Sequence, residues 1–332
     1  MAKVKGIEAL DCSAPADETV PLVLRAQLKS MCALRKKALD WKDPEGVHDM
    51  RVLSRRLRSA MSDFKPYLGK STLPRQKLIT IAKKLGAVRD LDVALVALEE
   101  LKSKASGLAA EGIEILAEEH RQRRKAARRA LKVAIKSSTV NEFRKEFLNR
   151  LSGMKVAIPR SAKQADQAVV FRWVGIAVIS DRLKEFCDSS RYIYFPFENK
   201  ELHELRILGK QLRYAIELFA VCWGEEIRSI ATEVSLMQTS LGELHDCDIW
   251  IDNLGTRLKQ TARKKGQDED NIRLREGAGW LLKHFARERM EHYCDALTRW
   301  QQWEAEGLLK RLKSLLDGNI NPGQEPAAEA QP

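Results

Sequence analysis

The sequence contains two copies of one pattern, and this repetition limits the possible folds more than any other feature. Residues 47–64 read VHDMRVLSRRLRSAMSDF, and residues 202–219 read LHELRILGKQLRYAIELF. A second pattern, LGAVRDLDV at 85–93, returns as LGELHDCDI at 241–249, at nearly the same separation. A repeat of this kind indicates one structural unit used twice. We therefore predict an internal duplication with halves of about 150 residues.

Each copy has the spacing of an amphipathic helix, with apolar residues recurring at i, i+3 and i+4. The composition agrees with a helical protein, because 31% of the residues are charged and only 6% are aromatic. We predict an all-α fold of two pseudo-symmetric four-helix bundles from an internal duplication. The eight predicted helices span 20–41, 45–67, 72–104, 107–136, 166–188, 199–223, 225–262 and 271–297, with two short extra helices at 140–152 and 304–316.

The predicted domain organisation follows the repeat. A flexible N-terminal tail at 1–17 precedes a helical domain at 18–317, and a disordered tail follows at 318–332. Within the domain, the first half is 18–155, the linker is 156–165 and the second half is 166–317.

The longest apolar run, near residue 175, is too short for a membrane span, and the six cysteines form no CxxC pair. We therefore expect a cytoplasmic protein without a membrane association.

The formal net charge is +12, and its excess lies in residues 1–160, where 34 Lys and Arg stand against 19 Asp and Glu. The positions of the charges are more informative than their sum. In the first copy, His48, Arg51, Arg55 and Arg58 lie at i, i+3, i+7 and i+10 and share one stripe at the edge of the apolar face. The second copy has the same column, formed by His203, Arg206, Lys210 and Arg213.

Stacked like charges at the edge of a core repel each other and need a counter-charge. One explanation is a salt-bridged core edge, in which nearby acidic side chains neutralise the columns. The other is an extended polyanion, which suits an Arg column because a guanidinium grips two phosphate oxygens at once. The candidate acidic partners are Asp90, Asp92, Asp246 and Asp248.

The two repeated patterns resemble the CHAD family, named for its conserved histidines in an α-helical fold. The resemblance covers roughly residues 18–317. It implies two pseudo-symmetric helical bundles with a basic channel or groove that binds inorganic polyphosphate, and an association with polyphosphate granules. The implied polyphosphate-binding residues are His48, Arg51, Arg55, Arg56, Arg58, His203, Arg206, Lys210 and Arg213. The second copy departs from the family at Gln211, where the first has Arg56, so we expect a weaker second site.

Three further features have both a structural and a functional interpretation. The D-x-D pairs cannot chelate one ion on a helix, because residues i and i+2 point about 200° apart; we expect them to orient the arginines. The basic run at 121–132 forms either a solvated helix face or another wall of the anion site. The isolated histidines are expected to be surface or packing residues. The possible additional anion contacts are Arg35, Lys36, Lys83, Lys84, Arg121, Arg124, Lys125, Arg128, Lys283 and Arg287.

The expected function is non-catalytic binding of inorganic polyphosphate, with no cofactor and no metal ion. Affinity should fall with salt, by counterion release, and rise at mildly acidic pH, where the histidines become charged. One alternative is a basic helical nucleic-acid-binding protein that uses the helix at 107–136, although no aromatic residues are interleaved with its charges. A phosphotransfer enzyme is a third alternative, but no acid–base set can be assigned to it.

Overall fold

A computed structural model describes residues 10–68, 72–152, 169–263 and 268–318 of the chain. This described part contains ten α-helices and no β-strand, so the all-α prediction is confirmed. No described helix is both long enough and apolar enough to cross a membrane. The helices are α1 Ala16–Ala33, α2 Pro44–Asp63, α3 Arg75–Lys104, α4 Gly107–Ala134, α5 Ser137–Ser152, α6 Phe171–Ser190, α7 Asn199–Phe219, α8 Gly224–Arg263, α9 Glu269–Glu306 and α10 Leu308–Asp317.

Helix α2 carries the first basic column, and its start is fixed by local chemistry. The Glu45 backbone N–H donates a hydrogen bond to Asp43 Oδ1 (2.9 Å), which satisfies one of the free donors at the helix start. Pro44 occupies the first turn, where its missing N–H costs nothing. The α-helix ends at Asp63 and continues as a 3-10 turn at Lys65–Tyr67, which accounts for the predicted end at 67.

Several helix boundaries differ from the prediction. Helix α1 ends at Ala33, eight residues before the predicted end at 41, and a 3-10 turn at Lys37–Leu39 follows it. Helix α9 continues nine residues beyond the predicted end at 297, because the stretch from 298 to 306 contains no helix breaker. The break comes at Gly307, whose φ of 65° lies in the left-handed region that favours glycine. At the other end of the chain, α1 begins at Ala16, where the Ala16 N–H donates to the Val169 carbonyl (2.8 Å).

The chain divides into two compact units that do not coincide with the two sequence halves. The first unit comprises Met1–Phe171 and Glu243–His292, and the second comprises Arg172–Gly242 and Tyr293–Pro332. Residues 243–292 therefore pack with the first half, although the repeat assigns them to the second. The predicted linker at 156–165 and the predicted tail from 319 onward lie outside the described residues. The duplication itself remains a prediction from the sequence.

The core of the first unit joins helices that are distant in sequence. Leu98 of α3 and Ile113 of α4 are fully buried in one cluster with Leu281 of α9. The core of the second unit is built on Phe186 of α6, whose ring packs against Trp300 (6.2 Å between centroids) and Trp303 (6.4 Å) of α9.

Helices α4 and α9 approach each other most closely at two glycines of the first unit. A Cβ atom at Gly112 would lie 1.9 Å from the Arg273 carbonyl oxygen, and one at Gly277 would lie 2.6 Å from the Gly112 carbonyl carbon. Both neighbours are backbone atoms, which cannot move aside without moving a helix. Glycine is therefore required at this crossing.

We predict that Gly112→Ala lowers the free energy of unfolding by about 1–3 kcal/mol, because the added methyl group forces the two helices apart. Gly279→Ala on the facing helix α9 is the control, since no atom lies within 4 Å of its Cβ position. There the better helix propensity of alanine should stabilise the protein by up to about 1 kcal/mol. Urea unfolding of both variants measures the difference, and equal effects would contradict the close approach.

Candidate functional site

The basic column of the first unit lies along the edge of the buried face of α2. Met50 and Leu57 are completely buried on that face. Alongside them run side chains that are only half buried, so their charged ends reach the border between core and solvent. The half-buried basic residues of α2 are His48, Arg51, Arg55, Arg56 and Arg58.

Arg51 is held by the first aspartate of the D-x-D pair on α3. Its Nη1 donates a hydrogen bond to Asp90 Oδ1 (2.5 Å), and its side chain is 18% exposed. Asp90 is 68% exposed, so the pair lies at the surface. Gly86, one turn before Asp90, lies beside the same guanidinium: its Cβ position is 3.9 Å from Arg51 Cζ. Gly86 is itself buried, and its lack of a side chain lets the Arg51 guanidinium lie close to α3.

His48 lies at the start of the same column, beside an arginine of α3. Arg89 Nη1 is 3.9 Å from Glu45 Oε1, one turn before His48. Burial is the main cause that lowers the pKa of His48 below its usual value, and the charges of Arg89 and Arg51 act in the same direction. Glu45 and Asp49 oppose the shift. The imidazole is therefore biased toward its neutral form before any anion binds.

The second aspartate of the first D-x-D pair faces a different helix. Asp92 has a side chain only 5% exposed, and its Oδ1 accepts hydrogen bonds from Arg124 Nε (2.5 Å) and Arg128 Nη2 (3.5 Å) of α4. The Arg128 guanidinium also lies over the Trp41 ring, 5.0 Å from its centroid. Burial and the charge of Arg124 lower the pKa of Arg128. One carboxylate thus holds two cations, which leaves a local surplus of positive charge.

The second copy of the D-x-D motif repeats this arrangement. Asp248 of α8 accepts a hydrogen bond from Arg289 Nε of α9 (2.6 Å), and both side chains are almost buried. The second aspartate of each copy therefore holds an arginine of the following helix. Asp90 contacts an arginine of the basic column, Arg51. Asp92 and Asp248 instead connect helices α3 to α4 and α8 to α9.

The column on α7 differs from the column on α2 at its last position. His203, Arg206 and Lys210 are half buried, as in the first copy. Arg213, however, is only 8% exposed. Its Nε donates to Gln238 Oε1 (2.6 Å), its Nη1 donates to Glu217 Oε1 (2.9 Å), and its guanidinium lies over the Tyr214 ring. The bond to Gln238 holds α7 against α8, and the bond to Glu217 lies within α7, so Arg213 has a structural role.

The additional candidates fall into two groups. Arg121 is surrounded by acidic residues, since its guanidinium contacts Glu114 (2.7 Å), Glu118 (3.3 Å) and Glu99 (3.7 Å). Arg35 lies against the end of α4, where Nη1 is 3.5 Å from the Ile135 carbonyl oxygen. The exposed candidates are Lys36, Lys83, Lys84, Lys125, Lys283 and Arg287. Because Arg121, Arg124 and Arg128 all contact carboxylates, the basic run on α4 is partly neutralised.

Two groups of residues in the described part could hold a metal ion, although no metal is predicted from the sequence. Glu45, His48 and Asp49 form one group on the first turns of α2. Cys247, Glu288 and His292 form the other, with the cysteine in the core.

Two residues around the D-x-D aspartates were not among the predicted site residues: Arg289, which pairs with Asp248, and Trp41, which packs against Arg128. Aligning the two halves on D-x-D does not indicate Arg289, because it follows Asp248 by 41 residues whereas Arg128 follows Asp92 by 36.

The fold and this site together define an all-α protein in which aspartates of the D-x-D motifs bind arginines of neighbouring helices. A family model described as the CHAD domain matches residues 22–255, which is more than half of the chain. The chain belongs to the CHAD domain family.

Two solved structures are similar in fold, and no curated protein matches the sequence. The crystal structure of the CHAD domain from the plant Ricinus communis has 19% sequence identity and a TM-score of 0.62, with 95% of each chain covered. PptA from Streptomyces chartreusis has 17% identity and a TM-score of 0.61, with 87% of this chain and 100% of that chain covered. At these identities the similarity shows the fold.

We predict that Asp92→Asn lowers the free energy of unfolding by about 1–3 kcal/mol, because Arg124 and Arg128 lose their shared counter-charge in a nearly buried place. Asp90→Asn is the matched control two residues away, and its exposed ion pair should contribute less than about 1 kcal/mol. Urea unfolding of both variants measures the two effects. An Asp92→Asn effect no larger than that of Asp90→Asn would contradict a structural role for the second aspartate.

Proposed function

We propose that this protein binds inorganic polyphosphate without catalysing its cleavage, and that the α2 column of the first unit makes the main contacts. The observation that carries this proposal is the column of His48, Arg51, Arg55 and Arg58, half buried along one edge of α2 in a member of the CHAD family. Ten residues of α-helix rise about 15 Å. A column of that length suits a linear ligand with repeated charges better than a single small anion.

The hydrogen bonding of Arg51 supports a role in anion binding. Asp90 accepts one hydrogen bond from Arg51 Nη1, whereas a guanidinium has five N–H donors. The aspartate therefore fixes the orientation of the side chain and leaves donors for phosphate oxygens. Because Asp90 is largely exposed, water and salt screen its charge, and a polyanion can compete with it for Arg51.

Helix α3 extends the basic surface beside the column. Lys83, Gly86 and Asp90 lie at i, i+3 and i+7 and so share one face of α3. That face contacts Arg51 at Gly86 and Asp90. Lys83 is exposed two turns from Asp90, which places a flexible ammonium group on the side of α3 that already borders the column. We assign Lys83 a contact with phosphate, and Lys84 a weaker one because it lies about 100° around the helix.

The α7 column of the second unit is proposed as the weaker of the two. Arg213 is buried and hydrogen-bonded within its unit, so we remove it from the proposed phosphate contacts. Gln211 replaces the second arginine of the first copy. His203, Arg206 and Lys210 remain as the proposed contacts. Through the same binding, we propose that the protein associates with polyphosphate granules in the cytoplasm.

The matched variants that test this proposal differ only in where two positive charges are lost. We expect Arg51→Ala/Arg206→Ala to weaken the binding of long-chain polyphosphate at least tenfold, since each charge-assisted hydrogen bond contributes about 1.5–3 kcal/mol. The control is Lys104→Ala/Arg228→Ala, which removes two cations held in exposed ion pairs with Glu100 and Glu225. The control should bind within about twofold of the wild type at low salt. Isothermal titration calorimetry measures both.

The same titration separates the proposal from its alternatives. Affinity should fall steeply between low and high salt, because binding releases the counterions of the polymer. Equal weakening by both double variants would mean that net charge alone drives binding. Equal competition by RNA or DNA at the same phosphate concentration would favour a nucleic-acid-binding protein. Release of orthophosphate from polyphosphate in the presence of Mg²⁺ would favour an enzyme.

We predict that affinity for polyphosphate rises as the pH falls from about 8 to about 5.5. In the free protein the pKa of His48 lies below its usual value, and a bound polyanion raises it by favouring imidazolium. Binding therefore takes up a proton, and affinity grows until the pH is below the pKa of the free protein. One unit of difference corresponds to about a tenfold gain. In His48→Gln this gain should be markedly smaller, and an unchanged pH profile in that variant would exclude His48 as a contact.

A further inference from the structure

A buried thiol, a carboxylate and an imidazole meet between helices α8 and α9 of the first unit. Cys247 belongs to α8, and Glu288 and His292 lie one turn apart on α9. One ligand atom of each lies within 4.8 Å of the other two. We propose that Cys247, Glu288 and His292 bind one divalent transition-metal ion of the zinc class.

The distances require only a small closure of the site. Donors bound to one tetrahedral zinc ion at about 2.0–2.3 Å are separated by about 3.3–3.8 Å. The three ligand atoms therefore need to approach each other by at most about 1.5 Å. Cys247 is 4% exposed and forms the base, whereas Glu288 and His292 are partly exposed and can rotate. Their exposure also gives the ion a path from solvent to the thiol.

Two further hydrogen-bonding pairs hold the ligands in place. Glu243, one turn before Cys247 on α8, has Oε2 3.2 Å from Nδ1 of His292. A carboxylate that accepts the Nδ1 proton leaves Nε2 of the ring unprotonated for a metal, an arrangement typical of metal-binding histidines. His284, one turn before Glu288 on α9, has Nε2 3.1 Å from Glu288 Oε1. This contact leaves the other carboxylate oxygen available.

The charge around the thiol favours a cation. The carboxylates of Glu288, Asp246 and Asp248 act on Cys247, and the guanidinium of Arg289 opposes them. A bound divalent ion inverts such surroundings, because it neutralises the carboxylates and stabilises a thiolate. A sulfur, nitrogen and oxygen donor set selects zinc-like ions over Mg²⁺ or Ca²⁺, which prefer oxygen alone. The fourth position is left to water.

The expected role of the ion is structural. Cys247 stands between the two aspartates of the second D-x-D pair, next to the contact of Asp248 with Arg289. A metal bridge from Cys247 to His292 would therefore join α8 to α9 beside this ion pair. Binding to the folded state alone would add to its stability by mass action.

The test uses the full chain, freed of metal with a chelator and titrated with Co²⁺ in the absence of polyphosphate. We expect one Co²⁺ per chain with a thiolate-to-cobalt charge-transfer absorption band, and displacement of Co²⁺ by Zn²⁺. Cys247→Ser should abolish the band, and His292→Gln should weaken Co²⁺ affinity at least tenfold. Glu243→Gln should weaken it about 10–100-fold, as expected for a residue that orients a ligand. The control is Cys294→Ser, an exposed free thiol on α9, which should keep the band.

Several outcomes would overturn the proposal. The wild type could show no charge-transfer band, or the band could survive in Cys247→Ser and vanish in Cys294→Ser; Cys247 would then be a packing residue only. If Cys247→Ser fails to fold by circular dichroism, His292→Gln decides, because this half-exposed position tolerates a polar side chain. Unchanged Co²⁺ affinity in His292→Gln would also reject the site. Since no polyphosphate is present, the result is independent of the proposed function.

Discussion

Burial of a guanidinium group is costly unless a counter-charge lies beside it. Helix α3 supplies this counter-charge to arginines of two neighbouring helices. Asp90 faces α2 and holds Arg51, whereas Asp92, two residues further, faces α4 and holds Arg124 and Arg128. The opposite directions follow from the helix itself, because residues i and i+2 point about 200° apart. The D-x-D motif is therefore a connector of helices, with an exposed pair on one side and a nearly buried pair on the other.

The unequal burial of these pairs explains how one motif serves both the fold and the proposed binding. The Asp92 pairs are shielded from solvent, so they fix α4 against α3. The Asp90 pair is open, so it orients Arg51 without occupying all of its donors. Asp92 alone also offsets two arginines, which leaves one positive charge in excess at this place. The exposed Arg51–Asp90 pair and the excess of arginines around Asp92 support binding of a polyanion more strongly than the net charge of +12 does.

Periodicity predicted the ten helices well, because each buries one apolar face that recurs at helical spacing. The sequence pattern did not predict which helices pack together. Backbone contact at Gly112 and Gly277 brings α9 onto α4, so part of the second sequence half belongs to the first compact unit. The burial of Arg213 was missed for a related reason, since its position on the wheel matches that of Arg58 and only Gln238 and Glu217 distinguish it. The cluster around Cys247 has no sequence signature, because its ligands are split between two helices.

In the proposed binding, the arginines on the edge of α2 contact the polymer, while the buried arginines maintain the fold. The most direct measurement is NMR of the arginine side-chain Nε–H signals during addition of polyphosphate. The Arg51 signal should shift with saturation, and the signals of Arg213 and Arg289, which donate to Gln238 and Asp248, should stay in place. An Arg51 signal that does not move while polyphosphate binds would contradict the account.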